Sequence, residues 1–173
     1  MADIDGRIAQ GWGGAAPNGV HVNVILASRG SATAAAMTGA YASPSNGFTP
    51  VLVCAGPDQP SYETVYPPTI MLAKVAPATE WLETLVFGAA QVGTARAVLD
   101  SVAAGLLEPD QETLVFVSVW IDPAADSEPM ILDAAREAVS RAIREAVTGR
   151  DPAAVRRLTG TRDEITHPFY NSH

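Results

Sequence analysis

Thr113-Leu114-Val115-Phe116-Val117-Ser118-Val119-Trp120-Ile121 is the stretch on which the fold turns. Nine residues dominated by β-branched and aromatic side chains, with no glycine or proline among them, read as a strand. A short turn follows, and over residues 126–147 the period changes. Ile131, Leu132, Ala135, Val139, Ala142, Ile143 and Val147 recur at spacings of three and four, which is the apolar stripe of an amphipathic helix. Arg141 and Arg144 fall in its last turns, where the sign of their charge suits a helix C-terminus, and Gly149 stops it.

Outward from this pair the same two periods alternate. Residues 20–27 carry Val20, Val22, Val24, Ile25 and Leu26 and read as a strand; residues 49–55 and 69–75 read as two more. Pro50 lies near the start of its strand, where a missing donor is tolerated. Ser31 can cap a small-residue helix over residues 32–41. Residues 56–68 hold four of the thirteen prolines and read as a loop. From Thr79 a second helical period runs through Trp81, Leu82, Leu85, Val86, Ala89, Ala90, Ala97, Val98, Val102 and Leu106. Gly88 and Gly93 interrupt it, each at a cost of about 1 kcal/mol relative to Ala, which points to close packing or ligand approach. Asp151-Pro152 opens a short helix to about Leu158. Residues 4–9 read as a short amphipathic lead and residues 11–19 as turn. The order is strand, helix, strand, strand, helix, strand, helix, helix. It predicts an α+β fold, a mixed sheet with helices packed on one face. The other face then needs a cover, and self-association would supply one.

The chain has 173 residues, the length of a single domain over 1–173. Apolar residues make up 47% and charged residues 17%, enough to bury a core and too apolar for disorder. Eleven basic against nineteen acidic residues give a formal net charge of −8, which argues against nucleic acid or an anionic membrane as partner. With one cysteine, Cys54, there is no intrachain disulfide framework and no cysteine-rich zinc site. The absence of a basic-then-apolar leader pattern and of a long apolar run leads to the expectation of a soluble, cytoplasmic protein. Ten of the eleven basic residues are arginine; Lys74 is the sole lysine.

Few residues can carry chemistry. Gly11-Trp12-Gly13-Gly14 is not a dinucleotide fingerprint, because a strand follows it where a helix should. Of three histidines, His173 is terminal and His167 lies in the tail, as a surface turn or a docked end. His21 stands at the mouth of a buried strand. Period two puts it on one face with Asn23, so a polar pair interrupts an apolar segment. A histidine can move a proton near neutral pH, and it can equally be a hydrogen-bonded structural residue. Lys74 ends a strand, where a solvated terminus is the plainer reading. Gln91 sits in mid-helix beside the two glycines, where a tight helix–sheet contact is as good a reading as a site. Cys54 reads as a small apolar strand residue.

Gly47-Phe48-Thr49-Pro50-Val51-Leu52, Thr69-Ile70-Met71-Leu72-Ala73-Lys74-Val75, Phe87-Gly88-Ala89-Ala90-Gln91, residues 97–109 and Thr166-His167-Pro168-Phe169 together resemble the formaldehyde-activating enzyme family. The resemblance runs from about Asp5 to the C-terminus. It implies a ribosomal-protein-S5-domain-2-like fold, a homopentamer with sites at subunit interfaces, and condensation of formaldehyde with tetrahydromethanopterin to the methylene adduct and water. This is a hydro-lyase reaction of one-carbon metabolism and formaldehyde detoxification, needing no permanently bound cofactor and no metal. The family's proton donor falls on His21, and its pterin-contacting positions fall on Asn23, Leu52, Lys74, Ala76 and Gln91. The chain departs from the family's pattern at two of these, with Asn23 for Asp and Ala76 for Thr, which leaves open a related amine carrier. The alternative is a non-catalytic pterin-binding or formaldehyde-sensing member of the family.

Overall fold

Strand pairing puts Thr113–Ile121 at the centre of the molecule. In the computed structural model, which describes residues 3–168 and Tyr170, the elements run β1 (Ile8–Gly13), β2 (Val20–Ser28), α1 (Ala32–Ala42), β3 (Val51–Leu52), β4 (Cys54–Ala55), β5 (Glu63–Thr64), β6 (Thr69–Ala73), α2 (Glu80–Thr84), α3 (Gln91–Ala103), β7 (Thr113–Ile121), α4 (Glu128–Thr148) and α5 (Pro152–Gly160). Phe169 and His173, noted in the sequence, lie outside the described residues. The main sheet has the order β1-β2-β7-β6-β3. All its neighbours are antiparallel except β6 and β7, which run parallel. The expected mixed sheet of an α+β fold is present.

Period two sorts the strands into two faces. Val20, Val22, Val24 and Leu26 of β2, Met71 of β6 and Val115 and Val117 of β7 are fully buried beneath α3 and α4. Most of the intervening residues are partly exposed on the opposite face, Ala27 and Phe116 being the buried exceptions. The two long helices therefore share one face, as expected, and α1 departs from that plan. Ala34 and Met37 of α1 pack on the opposite face, against Ile25, Ala27, Ile70, Leu114 and Phe116, and cover only that end of it. Ser127 caps α4 by accepting from the Met130 N–H at 3.5 Å. The buried Asn18 fixes the preceding turn: its side-chain oxygen accepts from the backbone N–H of Asp126 and Ser127, both at 3.1 Å, and its amide donates to Asp126 at 2.8 Å.

Three segments correct the sequence reading, the simplest being the expected loop over residues 56–68, which contains β5. The stretch expected as lead and turn contains β1, an edge strand. It reads as loop because of Gly11 and Gly13, yet both glycines face α4. A Cβ at Gly11 would overlap the carbonyl of Ala138, and one at Gly13 the carbonyl of Ala134. They are glycine so that a helix backbone can lie directly on a strand. The single strand expected over residues 49–55 is broken at Val53. Its N–H donates to the Thr69 carbonyl at 2.8 Å, while its own carbonyl accepts from Val65 at 3.3 Å, so the chain leaves β6 and pairs with β5. The helical period after Thr79 is present, with a π-helical turn at Leu85–Ala90 between α2 and α3.

The glycines of this layer should separate cleanly by substitution. Gly13→Ala must push α4 off β1 and should cost about 3 kcal/mol or more in chemical denaturation. Gly93→Ala, whose Cβ would run into the Leu132 carbonyl and Ala135, should also destabilise. Gly88→Ala meets nothing within 4 Å and should stabilise by up to about 1 kcal/mol.

Candidate active site

The face left open by the long helices presents a row of side chains across the sheet. In register, Trp12 of β1 lies opposite His21 of β2, and His21 opposite Trp120 of β7. Lys74 continues the row. It follows β6, and its N–H donates to the Val119 carbonyl at 2.7 Å, extending the ladder by one residue. Alternation after the buried Ala73 turns its side chain to the same face as His21. β6 and β2 flank β7 and so stand roughly 10 Å apart, a span that a lysine stem and an imidazole together bridge. The Lys74 ammonium reaches Nδ1 of His21 at 2.8 Å.

The other ring nitrogen is held as well. Nε2 of His21 lies 3.1 Å from the side-chain oxygen of Gln10, from the neighbouring β1. An amide oxygen only accepts, so the ring hydrogen sits on Nε2 and the Nδ1 lone pair faces Lys74, the tautomer this network assigns. Trp12 tilts beside the ring, with centroids 6.3 Å apart, and Trp120 lies 6.0 Å from Trp12. Burial lowers the pKa of His21, and the charge of Lys74 lowers it further. Burial also lowers Lys74 from 10.5 to about 8. No carboxylate forms an ion pair with Lys74 among the described residues; the ion pairs there belong to Arg29, Arg136, Arg141 and Arg162.

A pocket of about 830 Å³ opens over this row, lined by Gln10, Trp12, His21, Lys74, Val75, Trp120, Asp122, His167 and Pro168. The tail thus comes back over the site, so His167 borders it. Gln10, Trp12 and Trp120 were not singled out from the sequence. The signal that marks them is the register that puts Trp12 and Trp120 on either side of His21.

The remaining predicted residues are spread out. Asn23 is on the same face, two residues along β2 and opposite Gln10 and Ser118. Leu52 lies at the far edge of that face, opposite Ile70, and is exposed. Ala76 lines a neighbouring hollow with Val75, Pro77 and Trp120. Gln91 is elsewhere, at the start of α3 in the helical layer. Its side-chain oxygen accepts from the Cys54 N–H at 3.2 Å and its amide donates to the Phe87 carbonyl at 2.6 Å. It borders a separate pocket of about 350 Å³ with Cys54, Tyr62, Phe87, Gly88 and Arg96. Within one chain, then, His21 and Lys74 meet, and Gln91 does not join them. Among the described residues no group of three or more His, Cys, Asp or Glu side chains is placed to hold a metal ion, and no helix is long and apolar enough to cross a membrane.

The shifted lysine makes a stability prediction. Folding lowers its pKa from 10.5 to about 8, so the unfolded chain holds the proton more tightly and burial of the charged form is a cost. That cost is fully present below about pH 8, shrinks as pH rises, and is gone above 10.5. Lys74→Met should therefore raise the melting temperature near pH 7, and its advantage over wild type should fade as melting curves are taken upward from pH 8.

Comparison with known proteins places the chain. Residues 11–170 match the family described as formaldehyde-activating enzyme (Fae). The chain is 33% identical over 159 residues to the 5,6,7,8-tetrahydromethanopterin hydro-lyase of Methanosarcina barkeri, covering 90% of this chain and 85% of that protein. It is 30% identical to the bifunctional enzyme Fae/Hps of Archaeoglobus fulgidus over 86% of this chain, which spans 37% of that longer protein. A similar match, 29% identical over 98% of the chain and 40% of the relative, is to the bifunctional enzyme Fae/Hps of Methanosphaera stadtmanae.

Proposed function

The chain belongs to the formaldehyde-activating enzyme family, and from that premise we propose that it condenses formaldehyde with tetrahydromethanopterin, or a related reduced pterin, to the methylene adduct and water. The observation that carries this reading is the Lys74–His21 contact at 2.8 Å on the floor of an aromatic-walled pocket. Addition of an amine to formaldehyde is easy. Expelling the hydroxyl of the resulting carbinolamine is not, and it needs a proton delivered to that oxygen.

The pair supplies that proton. At neutral pH it holds one, resting on Lys74, because His21 is pushed below its ordinary range and Lys74 stays above neutrality. Moving the proton across the contact to Nδ1 gives an imidazolium whose Nδ1–H faces the pocket floor. His21 is then the general acid and Lys74 the store that loads it. Loss of water leaves an iminium ion, and the second pterin nitrogen closes on its carbon, releasing a proton that returns to the pair. The flat pterin ring would lie against the indoles of Trp12 and Trp120. Asn23, half-exposed on the same face, offers one acceptor and one amide donor group to the ring.

Leu52 and Gln91 enter as substrate contacts only if a second chain brings them, whereas Ala76 lines a hollow that shares Val75 and Trp120 with the His21 pocket. Ile8, Trp12, Leu52 and Val75 leave apolar surface exposed on the sheet's open face and its margins. We therefore assign the functional unit as a ring-like homo-oligomer, a pentamer as the resemblance implies, with the His21 pocket of one chain completed by the Gln91 region of its neighbour.

Two outcomes test this reading. His21→Ala should fold, bind the carrier and lose about 10²–10⁴-fold of the catalysed rate over spontaneous condensation. In the wild type kcat/KM should fall on the alkaline side near 8, where the pair loses its proton. Unchanged turnover in the variant removes His21, and carrier binding without acceleration in the wild type leaves a binding protein. Separately, His21→Ala and Gln91→Ala chains, each inactive alone, should regain partial activity when refolded together, because some interfaces then pair two intact halves. No recovery in a mixed oligomer argues for sites within single chains.

A further inference from the structure

Nothing in a proton store requires a primary amine to sit at the reacting centre, and that is where Lys74 sits. Its Nζ is held 2.8 Å from Nδ1 of His21, in a pocket bounded by two indoles. An ion-paired lysine keeps its proton and is no nucleophile; this one has an imidazole for a partner. Desolvated lysines beside another basic group are those that attack carbonyl carbon, and the depressed pKa at this position agrees. The substrate class of the proposed function is the smallest aldehyde, for which a primary amine is the natural trap.

We propose that Lys74 is a covalent catalyst: its amine captures formaldehyde as an iminium ion and hands the carbon to the carrier. This rests on the proposed function for the identity of the aldehyde and the acceptor. The proton first moves from Lys74 to His21 Nδ1, leaving a free amine and an imidazolium. The amine lone pair forms an N–C bond to formaldehyde while the carbonyl π pair moves to oxygen, and a proton shift from nitrogen to oxygen gives Lys74–NH–CH2OH. His21 returns its proton to that hydroxyl as the C–O bond breaks, and water leaves Lys74–NH⁺=CH2. A carrier secondary amine adds to this carbon, its proton passes to the Lys74 nitrogen, and the C–N bond to Lys74 breaks. Free Lys74 and the carrier iminium remain; closure by the second carrier nitrogen releases the proton that recharges Lys74. One formaldehyde and one diamine have become one methylene adduct and one water. The same microstate serves both halves, since the transfer that frees the nucleophile also arms the acid.

The sole lysine makes the test direct. Native protein is mixed with one equivalent of formaldehyde, reduced with borohydride, and mapped by peptide mass spectrometry. Lys74 should gain one methyl group well ahead of the α-amino group, and the preference should vanish in denatured chain and in His21→Gln. Tetrahydromethanopterin added before the borohydride should erase the mark. Lys74→Arg keeps the charge and the donor to His21 but cannot form an imine; it should still bind the carrier and lose about a hundredfold in rate. A mark no faster at Lys74 than at the α-amino group, a mark that persists beside a carrier whose condensation the protein accelerates, or an active Lys74→Arg would each overturn the capture. Carrier condensation that is accelerated while Lys74 stays unmarked defeats the capture and leaves the enzyme. A selective mark with no acceleration for any reduced pterin supports the capture and defeats the assigned carrier.

Discussion

Everything in this fold depends on α4 lying with its backbone against β1. Gly11 and Gly13 permit it, because any Cβ there would strike the Ala138 or Ala134 carbonyl. The alanines at 134, 138 and 142 keep the helix side of the contact equally thin, and all three are buried. With the glycines committed to the core face, period two leaves Gln10 and Trp12 no choice but the other face. There they meet His21, one as acceptor for Nε2 and one as a wall. A contact made to pack a helix thus orients the imidazole on the opposite surface of the sheet.

The second constraint is electrical. A lysine half out of water is ordinarily quieted by a carboxylate, which would fix the proton on nitrogen and raise the pKa. Here the partner is a neutral ring nitrogen, itself lowered by burial and by the lysine's charge. Each group makes the other's charged form less favourable, so the pair accepts one proton readily and a second poorly. The chain holds two nitrogen bases at hydrogen-bond distance, with one proton between them at neutral pH.

The parts of the molecule that follow from local pattern were legible beforehand. β7 matches the predicted span, α4 begins two residues late because Ser127 caps it, β2 overruns its predicted run by one residue, and β6 lies within its own. What could not be read locally was decided by neighbours. β1 looked like a loop because the helix that explains its glycines lies more than a hundred residues on. Val53 broke a continuous apolar run because it bonds two different strands. His21 and Lys74 were each visible as polar residues at strand ends, but their contact spans 53 positions and follows from sheet order. Parallel β6 and antiparallel β2 had to flank the same strand for the two to meet across Trp120. α1 lies on the other face for a related reason: Ile70, Leu114 and Phe116, which it packs against, arrive from strands later in the chain.

The composition of the surface acquires a meaning from the lone lysine. Aldehydes cross-link proteins chiefly by joining lysine amines to their neighbours, and this chain carries its positive charge on ten guanidinium groups instead. Arginine keeps the salt bridges to Glu112, Asp100 and Glu137 and offers no primary amine. A protein living in contact with a tissue fixative would be tanned by it at every exposed lysine. This one has moved its single side-chain amine off the open surface and into the pocket, so that the reagent finds almost nothing to tether outside the place where tethering does no harm.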